Sequence, residues 1–362
     1  MHHDVHKNYM SQALQLAETG RYTVSPNPMV GCLLVKDGTI IGRGAHQKAG
    51  DAHAEIIALN EAGHLAKGAE AYVTLEPCCH FGRTPPCTDA LIKAGVRKVN
   101  IATSDPHPLV QGRGVEQLRK AGIEVEIGLL KTKAQQLNEI FFYATKYQRP
   151  FVLSKWAMSL DGKTITHPDD TRYISSAIAN TATHDLRRAV DAILIGSHTA
   201  KQDNPTLIAR DAKDCPHTKQ PARIVLTTRG CLPLNLKILD QQLPGKTIIA
   251  TTEDADPSWR QAISEKNIEL MLSPKNTQGQ IHLPSLLDAL FKRNITSLLV
   301  EGGMTVHESF FNENLVNKVQ VTVAPVIIGS LSKKKRLENI TISKPGQDIH
   351  VIGKFDTLIS EK

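Results

Sequence analysis

One histidine and two cysteines stand at a spacing that could hold a metal ion. His53 lies in the run D-A-H-A-E, and Cys78 and Cys87 lie in a later run, T-L-E-P-C-C-H-F-G-R-T-P-P-C. Imidazole and thiolate are ligands that zinc prefers, and three protein ligands leave a fourth position for water in a catalytic site. Zinc can lower the pKa of that water to about 7, so hydroxide is available at neutral pH. The spacing therefore predicts hydrolytic chemistry.

Glu55 is placed to carry protons in that chemistry. It follows His53 by two residues, roughly 200° round a predicted helix, so it reaches bound water more easily than the metal. H-x-E followed by P-C and a second cysteine is the signature of zinc nucleobase deaminases, but eight residues separate the cysteines here where that signature has two. A closed structural zinc site with Cys79 or His80 as fourth ligand stays open as an alternative, although three ligands and a glutamate fit an open site better.

The run C-x-H-x-G-R-T-P-P-C resembles the deaminase half of the bifunctional deaminase/reductases of riboflavin biosynthesis. The resemblance implies one zinc ion per chain on His53, Cys78 and Cys87, with Glu55 as the proton carrier and Cys79 as a bystander. It also implies pyrimidine contacts from four residues, Asn27, His46, Arg83 and Asp105.

Two of these substrate residues have simpler explanations. Asn27 and Asp105 could instead only cap or begin turns, as these residue types often do. A third residue, His107, departs from the asparagine expected in D-P-N-P.

Length and composition predict two domains. The chain has 362 residues and is 41% hydrophobic, which is enough for two buried cores. No apolar run approaches the roughly 18 residues of a membrane span, and the first residues do not resemble a signal peptide. Six cysteines, three of them in the zinc motif, favour a reducing compartment over a disulfide framework. We therefore expect a cytoplasmic protein without membrane association, with Cys32, Cys215 and Cys231 as free thiols.

The net charge of +7 is compatible with nucleic acid or with small phosphorylated substrates. The densest basic run, from Lys333 to Arg336, is distant in sequence from the zinc motif and is typical of an exposed loop. The charge therefore favours small phosphorylated substrates, and we expect no nucleic-acid partner.

Alternating helix and strand patterns must position the zinc motif. Asp37-Gly38 indicates a hairpin, and Ile56, Ile57, Ala58 and Leu59 are expected to bury one face of the helix that His53 begins. We predict helices at 8–19, from 53, and at 88–94, 114–121 and 131–147, and strands at 30–35, 39–44, 71–75, 97–102 and 123–127.

Arg149-Pro150 ends the last of these helices, and a strand at Phe151 starts a second domain. The second domain alternates again, which predicts another central sheet. We predict helices at 176–189, 258–266, 283–292 and 306–313, and strands at 192–196, 223–227, 247–251, 268–272, 297–301, 319–325, 349–352 and 355–359.

The second domain has no G-x-G-x-x-G fingerprint. Its runs S-L-D-G-K, I-G-S-H-T-x-x-x-D-N-P-x-L-x-x-R and V-E-G-G-x-T resemble the reductase domain of the same family, which is similar to dihydrofolate reductase. The resemblance implies NADPH contacts from Ala157, Tyr173, Thr199, Asp203, Thr228, Gly303, Met304 and Thr305. It implies substrate contacts from Thr171, Arg187, Leu207, Arg210 and Glu301.

Simpler explanations remain for parts of the reductase set. Gly302 and Gly303 could offer backbone amides to a cofactor phosphate or could form an ordinary strand-to-helix turn. Arg187 and Arg210 suit a sugar phosphate, although Arg187 could instead be a solvated helix charge. Tyr173 stands where a tryptophan is common.

The sequence thus predicts an α/β protein with a cytidine-deaminase-like three-layer α/β/α domain at 1–147 and a dihydrofolate-reductase-like α/β domain at 148–362. The family reading implies zinc-dependent deamination of a phosphoribosylamino-diaminopyrimidinone, followed by NADPH-dependent reduction of the ribosyl group to ribityl. We expect a homo-oligomer, either a dimer or a tetramer.

Two other functions remain as alternatives. The first is a nucleic-acid base deaminase with an appended domain, which would need aromatic residues for a flipped base, yet only 4% of the chain is aromatic. The second is a non-catalytic binding protein stabilised by zinc.

Overall fold

The computed structural model describes residues 2–81, 85–164, 174–330, 335–344, 346 and 349–355. It divides into two compact units, Met1–Phe151 with Leu283–Ser297, and Val152–His282 with Leu298–Lys362. Two hydrogen bonds join the segment Leu283–Ser297 to the rest of the first unit. Arg149 Nε donates to Asp288 Oδ1 at 2.7 Å, and the Phe151 N–H donates to the Thr296 carbonyl at 2.8 Å. The first unit is therefore not contiguous in sequence.

The first unit contains a five-stranded sheet in the order β2-β1-β3-β4-β5. Strand β1 pairs antiparallel with both β2 and β3, whereas β4 pairs parallel with both β3 and β5. A tight turn at Asp37-Gly38 joins β1 to β2, as the sequence predicts, and both turn residues have positive φ. The strands are β1 Gly31–Lys36, β2 Thr39–Ala45, β3 Glu70–Val73, β4 Lys98–Ile101 and β5 Glu124–Ile127.

Helices cover both faces of this sheet, and the side chains of the interior strand β1 alternate between the two faces. Cys32 and Leu34 pack in one buried cluster, and Leu33 and Val35 pack in another on the opposite face. The first cluster takes residues from α2, α3 and α4, and the second from α1 and α5. The predicted three-layer α/β/α fold is confirmed. The helices are α1 His2–Glu18, α2 Ala54–Ala62, α3 Cys87–Lys93, α4 Arg113–Lys120, α5 Lys131–Leu137 and α6 Glu139–Tyr147.

Two details of this unit differ from the predictions. The buried face of α2 consists of Ala54, Glu55, Ala58 and Ala62, so the small residues pack closely while Ile56, Ile57 and Leu59 are only partly buried. The single predicted helix 131–147 is two helices, which meet at Asn138. The backbone of Asn138 is not helical there, because its side chain binds both the N–H and the carbonyl of Met29 at 2.8 Å.

The second unit contains a seven-stranded sheet in the order β10-β9-β8-β7-β11-β6-β12. Neighbours from β10 to β11 pair parallel, as do β6 and β12. This matches the predicted α/β architecture. The strands are β6 Phe151–Ser159, β7 Ala192–Gly196, β8 Ala222–Leu226, β9 Thr247–Thr251, β10 Glu269–Leu272, β11 Ser297–Gly302 and β12 Lys318–Ala324.

Two helices of this unit begin at residues whose side chains cap them. Ser176 accepts the Ala179 N–H at the start of α7, and Asp256 accepts the Trp259 N–H at the start of α9. The short helix α8 was not predicted from the sequence. The helices are α7 Ala177–Ala189, α8 Ser197–Asp203, α9 Pro257–Glu265, α10 Leu283–Phe291, which belongs to the first unit, and α11 Met304–Asn312.

The end of the chain forms a small sheet of β13 Val326–Ile327, β14 Lys335–Ser343 and β15 His350–Phe355. The exposed loop predicted for the basic run is wrong at Lys335 and Arg336, which are exposed but begin β14. The strand predicted at 355–359 is described only at Phe355, which pairs with Leu337 of β14.

None of the helices in the described part of the chain combines the length and the apolar character needed to cross a membrane.

Candidate active sites

Three elements of the first unit bring the predicted metal ligands together. His53 is the N-cap of α2, Cys78 lies in the segment after β3, and Cys87 is the first residue of α3. His53 Nδ1 lies 3.2 Å from Cys87 Sγ and 3.5 Å from Cys78 Sγ. Tetrahedral zinc with ordinary bond lengths places such atoms about 3.5 Å apart, so the three donors fit one ion.

The two thiols interact directly. A hydrogen bond from Cys87, with further help from His53, lowers the pKa of the Cys78 thiol to about 4. The same bond, together with burial, raises the pKa of Cys87. Cys78 is therefore ready to bind as a thiolate, which is the form that coordinates metals.

Glu55 lies in the first turn of α2 beside this cluster and is only 3% exposed. Burial, and secondarily the Cys78 charge, raises its pKa to about 7. A carboxyl group of that pKa can both accept and return a proton near neutral pH. Cys79 points elsewhere, with its Sγ 3.6 Å from the Leu109 carbonyl, and does not join the ligand cluster among the described residues.

A cavity of about 340 Å³ opens beside the cluster, lined by Asn27, His46, Glu55, Asp105 and His107 among others. His46 Nδ1 lies 3.1 Å from the Ala52 carbonyl, so this nitrogen carries the proton. His46 Nε2 then accepts from the Asn27 amide nitrogen at 3.0 Å. This pair orients the Asn27 amide oxygen as an acceptor for a ligand N–H.

Two further groups shape the cavity wall. Burial raises the pKa of Asp105 to about 6, and its Oδ1 accepts the His107 N–H at 2.7 Å. The rings of His107 and His80 stack with centroids 6.1 Å apart. Arg83, which the resemblance places with these residues, lies outside the described residues.

The second unit brings five polar residues together, three of which the sequence predicted. Arg187 donates from Nε and Nη2 to the two oxygens of Glu301 at 2.8 and 2.6 Å, so its fork is already paired. Arg210 Nη1 contacts Asp214 at 2.8 Å. Sequence reasoning missed Lys155 and His184, which interact electrostatically with both Arg187 and Glu301.

His184 connects the helix of Arg187 to the segment of Arg210. Its Nδ1 lies 3.2 Å from the Arg210 N–H and 3.2 Å from the Ile208 carbonyl. Leu207 is buried in this segment with a positive φ. The run T-H-D-L-R, with His184 three residues before Arg187, would have placed both on one helix face. Thr171 lies outside the described residues.

A glycine turn in the second unit offers a cradle for a phosphate. Gly303 has a φ of 84° and caps the N-terminus of α11, which begins with Met304 and Thr305. A Cβ at Gly302 would lie 2.8 Å from Thr199 Cγ2, so Thr199 closes against the bare backbone of this turn. Exposed backbone amides at a helix N-terminus attract anions.

Three other predicted cofactor residues follow strands of the same sheet. Thr199 and Asp203 belong to α8, which follows β7, and Thr228 follows β8. Because β7 pairs parallel with both β8 and β11, these positions share one edge with the glycine turn. Ala157 lies in β6, and Tyr173 lies outside the described residues.

Comparison with known proteins gave matches to both halves of the chain. Residues 3–103 match the family model of the cytidine and deoxycytidylate deaminase zinc-binding region, and residues 150–351 match that of the RibD C-terminal domain. The riboflavin biosynthesis protein RibD of Aquifex aeolicus is 42% identical over 90% of this chain and 88% of its own length. RibD of Escherichia coli is 40% identical over 89% and 88%.

Solved structures extend the match to the whole fold. Acinetobacter baumannii RibD has a TM-score of 0.80 and 36% identity, covering 96% of this chain and 98% of its own. A Thermotoga maritima diaminohydroxyphosphoribosylaminopyrimidine deaminase/5-amino-6-(5-phosphoribosylamino)uracil reductase has a TM-score of 0.79 and 34% identity, covering 95% and 97%.

Proposed function

The chain belongs to the RibD family of riboflavin biosynthesis proteins, and from this we propose the residues by which it acts as a deaminase and a reductase. The chain is a bifunctional enzyme with zinc and NADPH as cofactors. Its substrate is 2,5-diamino-6-(5-phosphoribosylamino)pyrimidin-4(3H)-one, which it deaminates and then reduces to the ribityl product. The convergence of His53, Cys78 and Cys87 beside Glu55 supports this function most strongly.

In the first unit we propose His53, Cys78 and Cys87 as ligands of zinc, which when bound supplies a Lewis acid that activates water. Glu55 would carry one proton from that water to the ring nitrogen, and then a second proton, from the hydroxyl that has added to the ring carbon, to the departing amine. Water is consumed, ammonia leaves, and the amino-bearing carbon becomes a carbonyl.

We propose that Asn27, His46 and Asp105 contact the substrate in the cavity. The family resemblance adds Arg83 to this proposed set. His46 orients Asn27, whose amide oxygen can accept a ring or amino N–H. Asp105 can accept another such bond as a carboxylate. These acceptors suit a pyrimidine that carries several N–H groups.

In the second unit NADPH, when bound, would supply the hydride that reduces C1′ of the opened ribosyl group. We propose that Ala157, Tyr173, Thr199, Asp203, Thr228 and Gly303 to Thr305 hold this cofactor. Substrate contacts would come from Thr171, Arg187, Leu207, Arg210 and Glu301. Burial lowers the pKa of Lys155, which makes its ammonium a ready proton donor for ring opening.

The charges beside Glu301 suit a phosphate. Lys155, Arg187 and Arg210 outnumber the single buried carboxylate of Glu301, so a phosphate would complete the pairing. We propose that Arg187 holds the phosphate while its Nε and Nη2 stay with Glu301, and that Arg210 leaves the exposed Asp214 to bind it.

We propose 1–147 as the deaminase domain and 148–362 as the reductase domain, in a cytoplasmic dimer or tetramer. A sedimentation experiment tests the oligomer directly.

One assay tests the whole proposal. Zinc-loaded protein is given the diamino substrate, and ammonia release and NADPH oxidation are followed separately. We expect ammonia without NADPH and oxidation of NADPH only after ammonia has formed. Oxidation of NADPH with no ammonia release would contradict the assigned order. The absence of both signals would contradict the proposed substrate.

A further inference from the structure

Glu76 makes a set of contacts that the reaction as described does not use. It precedes Pro77 and Cys78 in sequence and is only 3% exposed. Its Oε2 accepts the N–H groups of Asp105 at 3.3 Å and Gly112 at 3.1 Å. Its Oε1 accepts the N–H groups of Gly114 at 3.1 Å and Val115 at 3.3 Å. A carboxylate has about four lone-pair sites, so Glu76 has none left for a substrate although it borders the cavity.

The four N–H groups belong to the two ends of one segment, 105–115. The first end is Asp105, which follows β4, and the other end is the N-cap and first turn of α4. Those helix N–H groups have no partner within the helix, and a negative charge at a helix N-terminus is favourable. Glu76 thus closes the segment into a loop and stabilises the start of α4.

The segment after β3, which contains Glu76, packs closely against this loop. A Cβ at Gly114 would lie 2.3 Å from the Pro77 carbonyl oxygen, which only glycine avoids. The loop is therefore fitted against the same segment that delivers Cys78 to the metal cluster.

The loop also forms part of the cavity wall, through Asp105, His107 and Val110. The Asp105 carboxylate is oriented from inside the loop by the His107 N–H at 2.7 Å. Its backbone is fixed from outside by Glu76 at 3.3 Å. Two restraints thus determine where the Asp105 acceptor stands.

We propose that Glu76 is a positioning residue for pyrimidine recognition, which sets the loop 105–115 so that Asp105 meets the substrate. This rests on the proposed function of the first unit. It assigns to Glu76 an effect on substrate affinity exerted through Asp105, without contact to the substrate or to the metal.

Glutamine at position 76 tests this without changing size. Its Oε1 can accept two of the four N–H groups, but its NH₂ would then face the other two, placing donors against donors. We expect E76Q to raise the KM of the deaminase about tenfold or more, as for loss of hydrogen bonds to a charged group, with kcat within about threefold. Zinc content should stay at one ion per chain.

Amide exchange gives a readout that is independent of turnover. Hydrogen exchange of the peptide that contains residues 105–115 should become at least about tenfold faster in E76Q, with the peptides of the sheet unchanged. Glu70→Gln is the matched control, because Glu70 begins β3 and does not line the cavity. Its carboxylate accepts a hydrogen bond of 2.9 Å from the Tyr72 hydroxyl. E70Q should change neither KM nor exchange in 105–115.

A double-mutant cycle separates positioning from general stability. If Glu76 acts through Asp105, E76Q should raise KM by less than about threefold in the background of Asp105→Ala. If the KM of the double variant rose by the product of the two single-variant factors, the proposal would be overturned. Unchanged exchange in 105–115 with unchanged KM would overturn it as well.

Glu76→Asp covers the case in which E76Q does not fold. The shorter carboxylate keeps the charge but cannot reach both ends of the loop, so KM and exchange should shift in the same direction by a smaller amount. Loss of zinc and uniform faster exchange in E76D would make Glu76 merely structural. If wild-type protein releases no ammonia, the proposed function fails and recognition of the pyrimidine fails with it, while the exchange experiment still decides whether Glu76 holds the loop 105–115.

Discussion

The two candidate sites of this chain are built by different means. The proposed zinc site consists of side-chain donors from His53, Cys78 and Cys87, which converge from three elements of one unit. The cofactor turn uses bare backbone at Gly302 and Gly303, with positions from other strand ends beside it. A site built from side-chain donors accepts only the few residue types that can bind the metal. A site built from backbone amides requires only that certain positions carry small residues. The first kind of site is therefore much easier to recognise in a sequence.

The two sites also treat buried charge differently. The pKa of Glu55 is raised to about 7 mainly by burial. Glu301 is largely buried too, but its two oxygens accept from Nε and Nη2 of Arg187, and its pKa stays below the usual value. One carboxyl group is kept able to exchange protons, and the other is kept charged.

The sharpest test of this contrast is Glu55→Gln. The amide cannot take or return protons, so deamination should fall at least about a hundredfold, as for a lost general acid and base. Zinc should remain at one ion per chain, and reduction of added uracil intermediate should continue. Ammonia release, metal analysis and NADPH oxidation measure these separately.

Glu61→Gln is the matched control for that variant, because Glu61 lies on the same helix but binds the Arg43 N–H outside the cavity. Its deamination rate should stay within about twofold, since surface changes rarely matter more. Near-normal ammonia release by the zinc-loaded Glu55 variant would remove Glu55 from the mechanism.

Gly303→Val tests the backbone site. A β-branched residue at a φ of 84° is strained, and its Cβ would lie 3.3 Å from Thr199 Oγ1. Backbone approach by a phosphate would be blocked, so the Kd for NADPH measured by fluorescence should rise about tenfold to a hundredfold. Deamination should not change.

Gly279→Val separates strain from the cradle. Gly279 has a φ of 76°, and nothing lies within 4 Å of its added Cβ. This variant should lose stability without losing NADPH affinity. Equal loss of NADPH affinity in both variants would mean that strain alone, not the cradle, explains the first result.

The same contrast decides what the sequence could predict. The type and order of most elements were predictable, because apolar periodicity and caps such as Ser176 are local signals. The break at Asn138 was not, since its cause is a pair of bonds to Met29, which is distant in sequence. Strand β14 was not predicted: Ile340 and Ile342 do alternate with polar residues, but the strand begins in the basic run, and its residues are mostly exposed.

Within the sites, the clustering of His53, Cys78 and Cys87 could be predicted from their motif, but the contacts of the buried acid beside them could not. Glu76 stands inside the quoted run T-L-E-P-C, yet its four partners appear only once Asp105 and the start of α4 fold against it. The pairing of Arg187 with Glu301 likewise required two distant segments to meet. Contacts that depend on tertiary structure leave no periodic signal.

The Arg187–Glu301 pair predicts an acid sensitivity of the second unit. Burial alone would raise the pKa of Glu301, but Arg187 and then Lys155 hold it below its usual value. Because the folded pKa is lower than the unfolded one, the carboxylate contributes stability that is complete above about pH 4.3 and is lost as the pH falls through the folded pKa. Denaturant midpoints between pH 6 and 2 measure this loss.

Two variants sharpen that measurement. Glu301→Gln cannot titrate, so its midpoint should be lower at pH 6 but should change less with acid than that of wild type. Glu265→Gln alters an exposed acid at the end of α9 and should follow the wild-type curve. Parallel curves for wild type and Glu301→Gln would show that this pair is not the source of the acid sensitivity.

The smallest expected effect concerns Cys79, which distinguishes true ligands from neighbouring thiols. Its Sγ lies 3.6 Å from the Leu109 carbonyl and is absent from the cluster of His53, Cys78 and Cys87. A hydroxyl can make the same bond, so Cys79→Ser should keep zinc content and change deamination by less than about twofold. Cys78→Ser should lose zinc, because a hydroxyl is a poor replacement for a thiolate ligand. Metal analysis after gel filtration compares the two variants under the same conditions. If Cys79→Ser lost the metal while Cys78→Ser kept it, the cysteine that follows Pro77 would not be the ligand, and the geometry of the whole cluster would have to be reassigned.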